Sequence, residues 1–121
     1  DMNRIKYSYN PYNINRLTLL AGKASIEDDE YFRKNAQTII ENREYTVSEL
    51  EKRGFCVLPS CANFVFAKKE GKNGEELYLE LKKRGVLVRH FKKERIKDFL
   101  RITIGTRAQM DTLLSKLDEI I

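Results

Sequence analysis

Two arginines lie within runs of apolar residues that have the pattern of β-strands. Arg89 follows the apolar run 86–88, and Arg101 interrupts the apolar run 100–104. A buried charge is costly unless it is paired, so the ordinary explanation is an edge position, a water-facing side or an internal ion pair. The functional explanation is an anion site, because the planar guanidinium matches carboxylate or phosphate oxygens with two parallel hydrogen bonds. The sequence pattern by itself leaves both explanations open.

Few other side chains have the chemistry of a catalytic or metal site. His90 is the single histidine of the sequence, and no Ser-His-Asp or Cys-His set can be drawn around it. Cys56 and Cys61 lack further ligands, which favours two free thiols in a reducing compartment over a zinc site. Asn63 follows a Pro-Ser-Cys-Ala turn, where its amide either caps the turn or presents a polar group to a site between domains. We therefore predict no catalytic residue and no metal ligand within the chain.

The composition is that of a single globular domain with a charged surface. Of the 121 residues, 41% are hydrophobic and 34% are charged, and the net charge is +5. The basic residues are scattered among acidic ones, which favours a solvated surface over a nucleic-acid site. No apolar run has the length of a membrane span, and no signal-peptide pattern opens the chain. The first residue is Asp1, as expected for a fragment or for a chain with a trimmed tag.

Apolar residues at helical spacing predict four helices. The proposed N-caps are Asn13, Ser25 and Thr106, and Gly54 is expected to end the second helix. Residues 1–12 are predicted to be extended, because Pro11 disfavours a helical residue before it. The predicted helices cover residues 13–23, 26–53, 73–84 and 107–121.

Four short runs rich in β-branched and aromatic residues predict strands at 55–58, 63–67, 86–91 and 100–105. The strands are grouped and are separated by single helices. This order predicts an α+β fold, with a mostly antiparallel four-stranded sheet covered on one face by helices.

Four segments of the chain, taken in order, resemble the C-terminal small domain of histidinol-phosphate aminotransferases. Residues 6–12 resemble the segment that follows the cofactor domain in this family. Residues 54–64 match the family pattern G-F-x-V-x-P-S-x-A-N-F, residues 85–89 match G-V-L-V-R, and residues 100–106 match L-R-I-T-x-G-T. The resemblance implies a linker over residues 1–25 and the small domain over residues 26–121.

The resemblance also implies a function for the whole enzyme. Members are cytoplasmic homodimers that use pyridoxal phosphate in histidine biosynthesis. They transfer an amino group between histidinol phosphate, which becomes imidazole-acetol phosphate, and 2-oxoglutarate, which becomes glutamate. By position, Arg101 would hold the carboxylate of the glutamate partner, and Arg89 would contact the substrate phosphate. Asn63 would have a structural role.

The resemblance has two departures. The family has an acid after the Val-Arg pair, where this chain has His90. The cofactor-binding lysine, the aspartate and the phosphate-binding residues of the family all lie upstream of the matching segment. The chain alone is therefore expected to bind no cofactor and to be inactive, and to expose the surface that would contact the rest of the enzyme.

Three alternative functions remain open at this point. A threonine-phosphate decarboxylase or an aromatic aminotransferase would have a similar small domain. A free-standing α+β module that binds RNA would need Phe64 and Phe66, which share one face of a strand, to be exposed to solvent.

Overall fold

The computed structural model describes residues 2–8 and 14–121, with side chains for 2–5 and 14–121. The chain forms two compact units, Asp1–Asn35 and Ala36–Ile121. No helix in the described part of the chain combines the length and the apolar character needed to cross a bilayer.

The first unit contains the helices α1 (Met2–Ser8) and α2 (Arg16–Glu27). The prediction of an extended segment was wrong for residues 2–8, because Pro11 restricts only the residue next to it. Residues 9–13, which include Pro11 and the proposed cap Asn13, lie outside the described residues. The α2 helix is capped instead by Asn15, whose side chain accepts a hydrogen bond from the Thr18 amide at 2.9 Å.

The next helix, α3, covers Asp29–Lys52 and starts three residues later than predicted. Ser25 is not its cap, because it lies inside α2 and its hydroxyl donates to the Ala21 carbonyl at 2.8 Å. The helical backbone is interrupted at Asp28, whose carboxylate accepts a hydrogen bond from the Tyr31 amide at 3.2 Å. Gly54 follows the end of α3 with φ of 76°, which confirms it as the helix stop.

The sheet has four strands, β1 (Phe55–Leu58), β2 (Phe64–Lys69), β3 (Arg89–His90) and β4 (Leu100–Thr103), in the order β1-β2-β4-β3. Every neighbouring pair is antiparallel, as predicted. The third strand is shorter than the predicted range 86–91. The Val86 amide donates to the Leu81 carbonyl at 3.0 Å, so the turn that ends the preceding helix uses this residue.

One face of the sheet is covered by helices, which confirms the predicted α+β architecture. Alternate residues of β2 and β4, such as Val65 and Ile102, are buried on this face. They belong to one core cluster with residues of α3, of α4 (Gly74–Lys83) and of α5 (Arg107–Asp118), among them Leu50, Leu77, Leu81, Met110, Leu113, Leu114 and Leu117. Thr106 caps α5 in a reciprocal pair with Gln109, as the sequence predicted for the cap.

Candidate anion-binding site

The second face of the sheet bears the side chains that alternate with the core. We call this surface the open face and define it by Phe64 and Phe66 of β2, Arg89 of β3, and Arg101 and Thr103 of β4. Phe64, Phe66 and Arg101 are half-buried, and Arg89 and Thr103 are exposed. Strand alternation therefore brings both arginines singled out in the sequence to one surface.

The two arginines are direct neighbours across strands β3 and β4. The register pairs Arg89 with Arg101. Like charges directly opposite each other destabilise a sheet. Neither arginine belongs to any ion pair among the described residues, so no carboxylate in that part of the chain offsets this repulsion. An internal ion pair therefore does not explain them.

The two arginines differ in their position in the sheet. Arg89 is exposed on β3, an edge strand, so a water-facing position accounts for its charge. Arg101 lies on β4, between β2 and β3, and is half-buried. Its Nε is buried and has no hydrogen-bond partner in the described part of the chain. A buried donor without a partner is costly, which makes Arg101 the less ordinary of the two.

Each guanidinium lies over an aromatic ring. The Arg101 Cζ is 5.2 Å from the centroid of Phe64, and the Arg89 Cζ is 5.4 Å from the centroid of Phe91. Contact with a ring face stabilises the charge without occupying the N–H groups at the guanidinium edge. Those groups can therefore bind a carboxylate or a phosphate.

The aromatic side chains of the open face pack against one another. The centroid of Phe66 is 5.6 Å from that of Phe99 and 6.0 Å from that of Phe91. The ammonium of Lys68 lies 5.4 Å from the centroid of Phe99. The RNA-binding alternative needs solvent-exposed rings on the central strands. Phe64 and Phe66 are half-buried, and Phe66 packs against other rings, which does not favour this alternative.

Asn63 and His90 make contacts that do not involve the two arginines. The Asn63 carbonyl accepts from the Ile104 amide at 2.8 Å, so its backbone extends the pairing of β2 with β4. His90 faces the other side of the sheet from Arg89, where it stacks on Tyr78 at 6.0 Å and its Nε2 lies 2.7 Å from the Lys97 carbonyl oxygen. Cys56 and Cys61 are free, as predicted, and both are exposed.

One buried polar residue that anchors the segment after β4 is not evident from the sequence. Asn42 of α3 is buried, and its side-chain amide donates to the Gly105 carbonyl at 3.0 Å, just after β4. Thr46 donates to the Asn42 carbonyl at 2.6 Å. In the sequence, this contact is indicated only by the polar residues Asn42 and Thr46, which lie four residues apart within the apolar stripe of α3.

The comparison with protein families identifies this fold. The family described as aminotransferase class I and II matches residues 3–117. The chain belongs to this family. The resemblance found in the sequence motifs is thereby confirmed.

Curated relatives and solved structures agree with the family assignment. A histidinol-phosphate aminotransferase of Clostridium beijerinckii is 51% identical over 116 residues, which cover 96% of this chain and 32% of the relative. The histidinol-phosphate aminotransferase of Clostridium acetobutylicum is 29% identical with a TM-score of 0.83, over 98% of this chain and 36% of that one. The enzyme of Sinorhizobium meliloti, solved with pyridoxal-5′-phosphate, shares the fold at 22% identity, with a TM-score of 0.81 over 96% of this chain and 33% of that one. The chain thus spans about a third of the length of its curated relatives.

The described residues that line the cavities of this aminotransferase domain do not fit the cofactor. A cavity of about 400 Å³ lies between residues 85–88, β4 and α5, and its lining contains no lysine and no acid. Lys92 and Lys97 line a smaller cavity of about 130 Å³, but Lys92 is ion-paired with Glu75 at 2.9 Å and Lys97 with Glu94 at 2.6 Å. Pyridoxal phosphate requires a lysine amine for covalent attachment and donors for its phosphate. We therefore derive no catalytic step within this chain.

Proposed function

We propose that this chain is the small domain of an aminotransferase that moves an amino group between histidinol phosphate and 2-oxoglutarate. Residues 1–25 would form the linker from the cofactor domain, and residues 26–121 would form the small domain. The names of the relatives at 51% and 29% identity support this substrate assignment. The whole enzyme would be a cytoplasmic homodimer in histidine biosynthesis, with pyridoxal phosphate held outside this chain.

The observation that carries the proposal is the opposed pair of arginines on the open face. Paired residues on neighbouring antiparallel strands have Cα atoms about 4.5–5.5 Å apart. The two arginine side chains lie on one face of the sheet and have no carboxylate partner among the described residues, so this face offers positive charge to an anion. Both proposed amino-group partners carry such an anion, a carboxylate in one and a phosphate in the other.

The two arginines have separate roles in this proposal. Arg101, on a central strand, binds the carboxylate of glutamate or 2-oxoglutarate, and Arg89, at the exposed edge, binds the phosphate of histidinol phosphate. Their contribution is to bind and orient the substrates. When bound in the whole enzyme, the cofactor supplies the electron sink for amino transfer.

A chimaera with the Clostridium beijerinckii relative tests this function. Residues 1–121 would replace the matching third of that enzyme, and kcat/KM would be measured for glutamate and for histidinol phosphate. We expect an active chimaera in which Arg101→Ala lowers kcat/KM for glutamate, whose carboxylate Arg101 would bind. A charge-assisted hydrogen bond is worth about 1.5–3 kcal/mol, which corresponds to a loss of roughly ten- to a hundredfold.

The control variant is Arg95→Ala, which removes an exposed arginine outside the strands. It should leave both values unchanged. Unaltered kinetics in Arg101→Ala would refute the carboxylate-binding role. A chimaera that folds and binds cofactor, but prefers a different amino donor, would refute the assignment of substrates.

A further inference from the structure

The guanidinium of Arg101 does not lie over the residue that the sheet register places opposite it. Arg101 is paired with Phe66, and Phe64 is paired with Thr103. The Arg101 Cζ nevertheless lies over the ring of Phe64, at 5.2 Å. The side chain therefore runs diagonally along β2, toward the diagonal neighbour that a long side chain can reach.

The diagonal course gives each of the two like charges its own aromatic ring. Arg89, which is paired with Arg101 across the other edge of β4, lies over Phe91. The attraction of each ring for its cation offsets part of the repulsion between them.

Arg53 and Arg101 differ in whether the N–H groups of the guanidinium fork are already occupied by a carboxylate. The fork of Arg53 is occupied by Asp118, with Nε–Oδ1 at 2.7 Å and Nη2–Oδ2 at 2.9 Å. The guanidinium of Arg101 lies over the ring of Phe64, and its Nε is buried without a partner among the described residues. This leaves the end of the fork, formed by Nη1 and Nη2, as the edge on which an anion can bind.

We propose that Phe64 is a positioning residue for Arg101. Its ring fixes the plane of the guanidinium, so that Nη1 and Nη2 are presented to a carboxylate before the carboxylate arrives. Preorganised groups bind more tightly because less side-chain entropy is lost on binding. The proposal rests on the proposed function insofar as Arg101 is the residue that binds the substrate carboxylate.

Two measurements on the 121-residue chain test this role. The first is the NMR chemical shift of the Arg101 side chain, which the ring current of Phe64 displaces if the ring and the guanidinium are stacked. The second is the dissociation constant for 2-oxoglutarate, followed through the same resonances. The variants are Phe64→Leu, which removes the ring, Phe64→Tyr, which keeps it, and Phe91→Leu, which is the matched control at Arg89.

We expect Phe64→Leu to abolish the ring-current shift of Arg101 and to weaken 2-oxoglutarate binding by about three- to tenfold. Phe64→Tyr should restore both values to within about twofold. Phe91→Leu should leave the Arg101 resonances in place. In an Arg101→Lys background, which lacks the planar fork, Phe64→Leu should add no further loss. If Phe64→Leu does not fold, Phe64→Met removes the ring with a flexible side chain of similar size.

The two hypotheses fail in different ways. If 2-oxoglutarate binds and Phe64→Leu binds it equally well, the positioning role is overturned while the anion site stands. If the unaltered chain binds no 2-oxoglutarate, the anion site fails in the isolated chain, and the ring-current shift then decides the positioning role. Absence of that shift in the unaltered chain would overturn it.

Discussion

Arg53 and Arg101 carry the same guanidinium, but the groups around them differ in charge. Asp118 and, to a lesser extent, Glu49 raise the pKa of Arg53 by accepting its hydrogen bonds. The described neighbours of Arg101 include an aromatic ring and, on the paired strand, a second cation. The first arginine holds α3 to α5, and the second is available to an external anion.

The sequence could identify Arg101 as unusual but could not show why. A charge within an apolar strand is visible in the residue order. The missing partner is not visible, because it depends on register: β3 places Arg89 opposite Arg101 where a carboxylate would have neutralised it. The ring contacts depend on the diagonal course of the side chain, which a linear pattern does not contain.

We predict that the two opposed arginines, which would bind an anion, also lower the stability of the folded chain. Arg89→Gln removes one of two like charges, and such a pair costs about 0.2–1 kcal/mol. We expect its Tm to rise by about 1–4 °C at low salt. Added inorganic phosphate should raise the Tm of the unaltered chain more than that of the variant. Differential scanning calorimetry at low and high ionic strength measures both effects.

Two results would count against this interpretation. A lower Tm for Arg89→Gln at low salt would show that the contact of Arg89 with Phe91 outweighs the repulsion between the two arginines. Equal stabilisation by phosphate in both chains would show that Arg89 takes no part in an anion site.

Local patterns predicted the elements better than their ends. Alternation of apolar residues gave the strands, and the caps Gly54 and Thr106 were placed correctly because each acts through its own immediate backbone. The third strand was predicted too long because Val86 is equally suited to a strand and to the turn after α4. Its hydrogen bond to the Leu81 carbonyl decides between them, and that bond depends on where α4 ends.

We predict that the ion pair of Arg53, just after α3, with Asp118 of α5 is lost in acid. Arg53 lowers the pKa of the Asp118 carboxyl, chiefly through their hydrogen bond. A carboxyl whose pKa is lower in the folded state stabilises it at pH values above the unfolded pKa of about 3.9. This stabilisation is lost as the pH falls through the folded pKa.

Asp118→Asn should therefore be less stable than the unaltered chain at pH 7, and the difference should vanish as the pH falls below about 4. Urea unfolding followed by circular dichroism across this range measures it. Asp29→Asn, which removes an exposed pair with Arg33 within one helix, is the control and should change little. A pH-independent difference for Asp118→Asn would show that the carboxylate does not act through its charge.

At the scale of the whole molecule, the described side chains of the first unit are all exposed. No residue of α2 is buried. The sequence predicted an apolar stripe on this helix, and the structure leaves that stripe in solvent, with Leu17 78% and Leu20 59% exposed. Leu19 and Ile26, on the opposite side of the helix, are also exposed. A helix that is apolar on both sides is ordinarily buried, and a helix of 12 residues is only marginally stable alone.

The chain spans about a third of the length of its relatives. In a whole enzyme, the remaining two thirds would cover the exposed apolar residues of α2. The 121-residue chain by itself should bury α2 against a second copy, because an exposed apolar surface of this kind favours association.

We expect a mass that increases with concentration in sedimentation velocity over the micromolar range. Leu17→Glu combined with Leu20→Glu should shift the chain to a monomer. Thr18→Glu adds charge to the same helix outside the stripe and should leave association unchanged. A monomer at every concentration, or association that persists in the double variant, would show that α2 is not the associating surface.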